Sequence, residues 1–126
     1  MTGETILVVE DEGLIALHMT ELLEKAGYRV IGTEYAGEVV LRKLGTSPLP
    51  DLILMDIALA GSVDGIETAR QIQKRFSIPI IFVTAYTSDR LVERMRGVAS
   101  DGVLLKPFMD DELLLFVRKS LTKTTE

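Results

Sequence analysis

This sequence predicts a doubly wound α/β fold, with helices on both faces of a five-stranded parallel sheet. Three observations carry the prediction. Short apolar runs alternate with segments of helical periodicity along nearly the whole chain, the pattern of right-handed βαβ units. Several of those runs are apolar at every position, which suits strands covered on both faces. Polar residues recur at the carboxyl ends of the runs: Glu10 and Asp11, Asp56, Thr84 and Lys106.

Each element has its own justification. Thr5-Ile6-Leu7-Val8-Val9 is the first buried strand and runs into Glu10-Asp11-Glu12. Over residues 13–26, Ile15, Met19, Leu22, Leu23 and Ala26 recur at steps of 4, 3, 1 and 3, which gives one helical stripe. Gly27 fits the left-handed position just past a helix end. Residues 28–33 alternate weakly and predict a less buried strand near an edge. Gly37–Leu44 is a short, poorly specified helix, and residues 45–50, Gly-Thr-Ser-Pro-Leu-Pro, are a loop by composition. Leu52-Ile53-Leu54-Met55 is an unbroken apolar strand that ends in Asp56.

Asp64 is placed to cap a helix, with Glu67 three residues on to reach back. Ile66, Ala69, Ile72 and Phe76 continue that helix until Ser77-Ile78-Pro79. Ile80-Ile81-Phe82-Val83 is a further apolar strand, followed by Thr84-Ala85-Tyr86. Ser88 can cap a helix carrying Leu91, Val92 and Met95. Asp101-Gly102 turns into the last buried strand, Val103-Leu104-Leu105, and then Lys106-Pro107. Asp110, Asp111 and Glu112 place negative charge at the positive end of a final helix over about 111–121. On that helix Leu113, Leu114, Val117 and Leu121 share the buried face, while Leu115 and Phe116 point elsewhere. Residues 1–126 fit one domain, with 122–126 a frayed tail.

Composition excludes several function classes. With 14 Lys+Arg against 19 Asp+Glu, the net charge of −5 argues against nucleic-acid binding by this domain. The absence of Cys removes disulfides, thiolate metal sites and a Cys nucleophile. His18, the single histidine, cannot supply a His-rich metal site and is read as a surface helix residue, not a phosphodonor. No apolar stretch approaches the roughly 18 residues of a membrane helix, and no signal-peptide segment opens the chain. A cytoplasmic domain away from membranes is expected.

Parallel strands point their carboxyl ends the same way, so Glu10, Asp11, Asp56, Thr84 and Lys106 collect on one edge. Ligands of open α/β sheets bind at that edge. Crowded carboxylates repel one another unless a cation is present. Oxygen donors without His or Cys favour a hard ion, Mg2+ first with Mn2+ as an alternative. A Thr hydroxyl and a Lys ammonium opposite them suit the oxygens of a phosphoryl group, and an Asp carboxylate can accept that group covalently.

With these residues in view, the chain resembles the receiver domain of a two-component response regulator. Val8-Val9-Glu10-Asp11, Leu54-Met55-Asp56, Asp64-Gly65, Thr84-Ala85 and Lys106-Pro107-Phe108 match in order and near the family's spacing. The resemblance implies a flavodoxin-like (βα)5 three-layer sandwich with strand order 2-1-3-4-5. It implies Asp56 as phospho-acceptor, and Asp11, Asp56, water-bridged Glu10 and the Ala58 backbone carbonyl as the Mg2+ site. Thr84 would hydrogen-bond the phosphoryl group and Lys106 would pair with it, with a cis bond before Pro107. The partner implied is a sensor histidine kinase or histidine phosphotransfer protein. A homodimer through the last-helix face, at Leu115 and Phe116, is a further expectation.

Three departures stand out. The acid pair is Glu10-Asp11 where two Asp are commoner. Ala60 replaces a common Pro in a longer loop, which predicts a more mobile loop. Val103 stands where the family carries its switch aromatic, leaving Tyr86 to cover the site or report on it. The expected function is a phosphorylation-dependent switch with its own phosphorylation and slow hydrolysis chemistry, not a metabolic enzyme. One rival is a phosphorylation-independent interaction module. Another is a Mg2+-dependent phosphohydrolase, which Ile57-Ala58-Leu59-Ala60 disfavours by lacking a second Asp. A flavin site is disfavoured by the acidic loop after the first strand.

Overall fold

In the central strands, consecutive side chains go to opposite faces of the sheet, as the pleat requires. Ile6, Val8, Leu52, Leu54, Ile81 and Val83 pack on one face with Ala16, Met19 and Leu23 of the first helix and Leu113, Val117 and Leu121 of the last. Leu7, Val9, Ile53, Met55, Ile80 and Phe82 pack on the other with Val40, Ile66, Ala69, Ile72 and Met95. Strands with both faces covered must be apolar throughout, which is why these runs do not alternate.

A computed structural model describes residues 3–46, 48–85 and 88–124. In chain order the elements are β1 (Thr5–Val9), α1 (Gly13–Lys25), β2 (Arg29–Glu34), α2 (Gly37–Leu44), β3 (Leu52–Met55), α3 (Gly65–Arg75), β4 (Ile80–Thr84), α4 (Asp89–Met95), β5 (Val103–Leu105) and α5 (Asp110–Thr124). The sheet has the order β2-β1-β3-β4-β5 with every pairing parallel. Helices α1 and α5 cover one face, and α2, α3 and α4 the other. This is the doubly wound (βα)5 sandwich that the sequence predicts.

Several local expectations hold. Gly27 sits past α1 at φ +100°. The Asp64 carboxylate accepts from the Glu67 amide at 2.9 Å, and Ser88 Oγ from the Leu91 amide at 3.2 Å. The Lys106–Pro107 bond is cis.

Others are corrected. The Glu67 side chain does not reach back to close a capping box; it is engaged instead by Arg70 and Gln71 along its own helix. Ala26 is exposed at the α1 C-cap, and Ala16 fills the core in its place. β5 is an edge strand, so Leu104 is buried but Leu105 is 53% exposed. Phe116 does not project free beside Leu115. It is half-buried, and its ring lies 2.9 Å from where a Cβ on Gly102 would stand. Only Leu115 of that pair is exposed. α5 runs to Thr124, past its expected end at 121. Among the described residues, no helix is long and apolar enough to cross a membrane.

Candidate functional site

The strand order reverses between β1 and β3, and the polar residues meet at the carboxyl edge there. Glu10 follows β1 and Asp56 follows β3, and both are nearly buried at 3% and 4% exposure. Asp11 beside them is exposed. Thr84 closes β4 at 1% exposure, and its carbonyl accepts the Lys106 amide at 2.9 Å. That backbone bond sets Lys106 at the mouth of the sheet. Its side chain runs inward, 8% exposed, and the ammonium reaches Glu10 Oε1 at 2.7 Å and Asp56 Oδ2 at 3.0 Å. Glu12 stands farther off, at 3.7 Å, with a side chain 65% exposed.

The electrostatics follow from this crowding. Burial, with the Asp56 charge in support, pushes the Glu10 carboxyl up to about 7 against the opposing pull of Lys106. Burial would lower the Lys106 ammonium, but its bonds to Glu10 and Asp56 outweigh that and raise it. Both acids therefore depend on one buried cation.

The remaining contacts aim the acceptor loop. Asp56 Oδ1 accepts from the Ala58 amide at 3.3 Å, while Oδ2 accepts from the Lys106 ammonium at 3.0 Å. The Gly65 amide donates to the Ile57 carbonyl at 2.8 Å. A Cβ on Gly65 would lie 1.9 Å from the Asp56 carbonyl oxygen, so no side chain fits there. Farther along the loop, the Ala60 amide donates to the Tyr35 carbonyl at 3.2 Å, and Ser62 donates from Oγ and from its amide to Glu38 Oε2. The longer loop is thus hydrogen-bonded at Ala58, Ala60, Ser62 and Gly65.

The donor set fits a hard divalent cation. Glu10, Asp11 and Asp56 each present a carboxylate oxygen within 4.8 Å of the others, near enough for side-chain rotation to bring them onto one ion. All are oxygens, as Mg2+ prefers. Glu10 is buried with Oε1 paired to the Lys106 ammonium and Oε2 accepting from the Glu12 amide at 3.1 Å.

A model of the response regulator receiver domain matches residues 6–118. The chain belongs to that family. Receiver domains are signalling domains of two-component systems rather than classical enzymes; they take phosphoryl groups from kinases or phosphotransfer proteins and use Mg2+. The chain is 40% identical to the phyllosphere-induced regulator PhyR of Methylorubrum extorquens over 116 residues, which is 92% of this chain and 43% of that protein. It is 31% identical to the transcriptional regulatory protein PdtaR of Mycobacterium tuberculosis over 121 residues, 96% of this chain and 58% of that one. It therefore spans about half the length of these relatives. Among solved structures, the N-terminal domain of a three-domain response regulator/sensory box/GGDEF protein from Carboxydothermus hydrogenoformans superposes with a TM-score of 0.89 at 35% identity, covering 97% of each chain. The PhyR receiver domain of Erythrobacter litoralis gives 0.83 at 28%, covering 97% of this chain and 92% of that one.

The structure thus brings Glu10, Asp11, Asp56 and Lys106 together, with Ala58 in the loop just beyond and Thr84 buried at the end of β4, bonded through its carbonyl to the Lys106 amide. Val103 is half-buried against the core and carries no ring. Tyr86 lies outside the described residues. His18 is on the surface as expected, paired with Asp110 at 3.0 Å and stacked on Phe108. Sequence reasoning missed Gly65 as a spacer. Its signal was the Asp64-Gly65 pair, which reads equally well as a helix start. It also missed Arg94, whose guanidinium grips Asp64 through two hydrogen bonds of 2.7 and 3.1 Å from 30 positions away.

Proposed function

We propose that Asp56 accepts a phosphoryl group from a phosphohistidine of a sensor kinase or phosphotransfer protein, and that this chain is a single receiver unit switched by that event. One observation carries the reading: Asp56 is buried at the sheet edge with one carboxylate oxygen braced by Lys106 and the other by the Ala58 amide, beside two further acids. An Asp56 oxygen attacks phosphorus, the P–N bond breaks, and its electron pair leaves with the imidazole, giving an acyl phosphate. Lys106 exchanges its contact with the carboxylate for one with a phosphoryl oxygen, and the Thr84 hydroxyl donates to another. Asp11, Asp56, the Ala58 carbonyl and, through water, Glu10 would hold Mg2+ or Mn2+. When bound, that ion neutralises charge on the transferring oxygens.

The added charge biases the face formed by α4, β5 and α5 between two arrangements. A shallow groove lined by Val92, Met95, Arg96, Val103 and Leu105 opens there, and Leu115 is exposed nearby. A partner or a second copy of this chain docks on that face. The surroundings are cytoplasmic, with no nucleic acid bound by this domain itself. A second reading, an interaction module indifferent to phosphorylation, draws support from Val103 alone.

The test is incubation with Mg2+ and a small-molecule phosphodonor followed by intact mass. Wild type should gain one phosphoryl group and Asp56→Asn none. No Asp56-dependent gain with either the small donor or a phosphorylated histidine protein would refute the reading.

A further inference from the structure

Without a ring at position 103, the state of Asp56 needs another route to the far side of the domain. We infer that Asp64 and Arg94 are a positioning pair that locks the acceptor loop to α4, so that a change at Asp56 reaches α4 through the Gly65 backbone. The inference deepens the reading of Asp56 as acceptor and rests on it for its signalling half.

The chain of contacts is short. Gly65 packs backbone to backbone on Asp56: its amide bonds the Ile57 carbonyl at 2.8 Å, and even a Cβ would lie 1.9 Å from the Asp56 carbonyl oxygen. No side chain lies between them to absorb a displacement. Asp64 is the next residue back and the N-cap of α3, its Oδ1 accepting from the Glu67 amide. The same carboxylate takes both arms of the Arg94 guanidinium, Nη1 donating to Oδ2 at 2.7 Å and Nη2 to Oδ1 at 3.1 Å. Two parallel bonds fix direction as well as distance, which a single ammonium contact would not.

Both side chains are about one-third exposed, at 33% and 35%, so the pair is only partly screened by water. Arg94 lies in the last turn of α4. Its neighbour Met95 packs in the same core cluster as Val103 and Phe82. On β5, Val103 packs against that cluster too, but it has no ring to swing between an inward and an outward position. The Asp64–Arg94 fork is therefore a direct polar tie between the acceptor loop and α4.

The fork makes a cooperative unit of two segments that neither share a hydrogen-bond ladder nor adjoin in sequence. Breaking either end should release both. Asp64→Asn is the informative partner for Arg94→Met, because Asn keeps a capping oxygen for the Glu67 amide while losing the carboxylate charge.

The experiment is amide hydrogen exchange on the full chain, wild type and variants, in Mg2+ alone and in Mg2+ with acetyl phosphate. Intact mass is read on the same samples. In Mg2+ alone, Arg94→Met and Asp64→Asn should each speed exchange of the Gly65 amide and of the α4 amides together, by roughly 1.4- to 5-fold, the range for losing a partly exposed ion pair. The double variant should add little to either single one, since both remove the same contact.

With acetyl phosphate, wild-type α4 exchange should shift. In both single variants Asp56 should still gain its phosphoryl group while α4 no longer responds. Arg94→Lys, which keeps the charge but not the fork, should restore part of that response. A merely structural pair would change the baseline and leave the phosphoryl response intact. The inference is overturned by unchanged Gly65 exchange in the unloaded variants, by additive effects in the double variant, or by an α4 response in Arg94→Met equal to wild type. An α4 segment in wild type that ignores a phosphorylated Asp56 also overturns it. If wild type takes up no phosphoryl group, the acceptor reading fails by itself, and the unloaded Gly65 exchange still decides whether the pair locks the loop.

Discussion

Lys106 is removed from water almost completely, and only the acids around it make that tolerable. The same residues could be listed from the sequence, but their pairing could not, because it depends on the side-chain path across the sheet mouth. Asp64 shows the same limit at a neighbouring site. Burial alone would raise its carboxyl, yet the Arg94 fork and the Glu67 amide outweigh burial and hold it below its ordinary value of 3.8. A carboxyl held down in the folded state contributes stability above its unfolded value, and that contribution disappears as pH falls through the folded one. The stability gap between wild type and Asp64→Asn should therefore be level well above pH 3.8 and close as pH falls below it. Urea denaturation across that range checks it, and a gap that ignores pH would contradict the assignment. The cap half of Asp64 was legible three residues from Glu67; the clamp half had no signal in the sequence.

At the level of elements, α5 separates what periodicity reveals from what it hides. Leu113, Val117 and Leu121 repeat at helical spacing and are all buried. Leu113→Ala should cost about 2–5 kcal/mol, the range for emptying a packed core site. Leu115→Ala, on the exposed side, should stay within about 0.5 kcal/mol. Chemical denaturation of the two variants makes the comparison, and equal losses would mean the helix face is misassigned. Phe116 escaped the pattern because its shelter is Gly102, on a turn before another element. The loop after Asp56 makes the same point: its contacts with Tyr35 and Glu38, on the β2–α2 side, leave no mark in its own Ala and Gly.

Across the whole molecule, polar chemistry is concentrated at the carboxyl edge, and apolar exposure includes Val92, Leu105 and Leu115 on α4, β5 and α5. On the proposed reading, phosphorylation at the first region changes what the second one binds. Sedimentation of the chain with and without acetyl phosphate in Mg2+ should show dimer growing only in the loaded sample. Leu115→Glu should abolish that growth by placing a charge at the contact. A loaded wild type that stays monomeric at high concentration would exclude the homodimer and leave a different partner for that face.

Taken alone, the sequence determined the element order, the parallel sheet and the edge on which Glu10, Asp11, Asp56, Thr84 and Lys106 meet. These follow from periodicity and from the single direction of parallel strands, both local properties of the chain. Tertiary structure alone decided that Lys106 binds Glu10 and Asp56 together, that Gly65 must lack a side chain, that Phe116 is sheltered and that Asp64 is tied to α4. Each of these is a contact between residues distant in the chain. Such contacts depend on how the packed layers bring their surfaces together, and no spacing along one strand or helix records that.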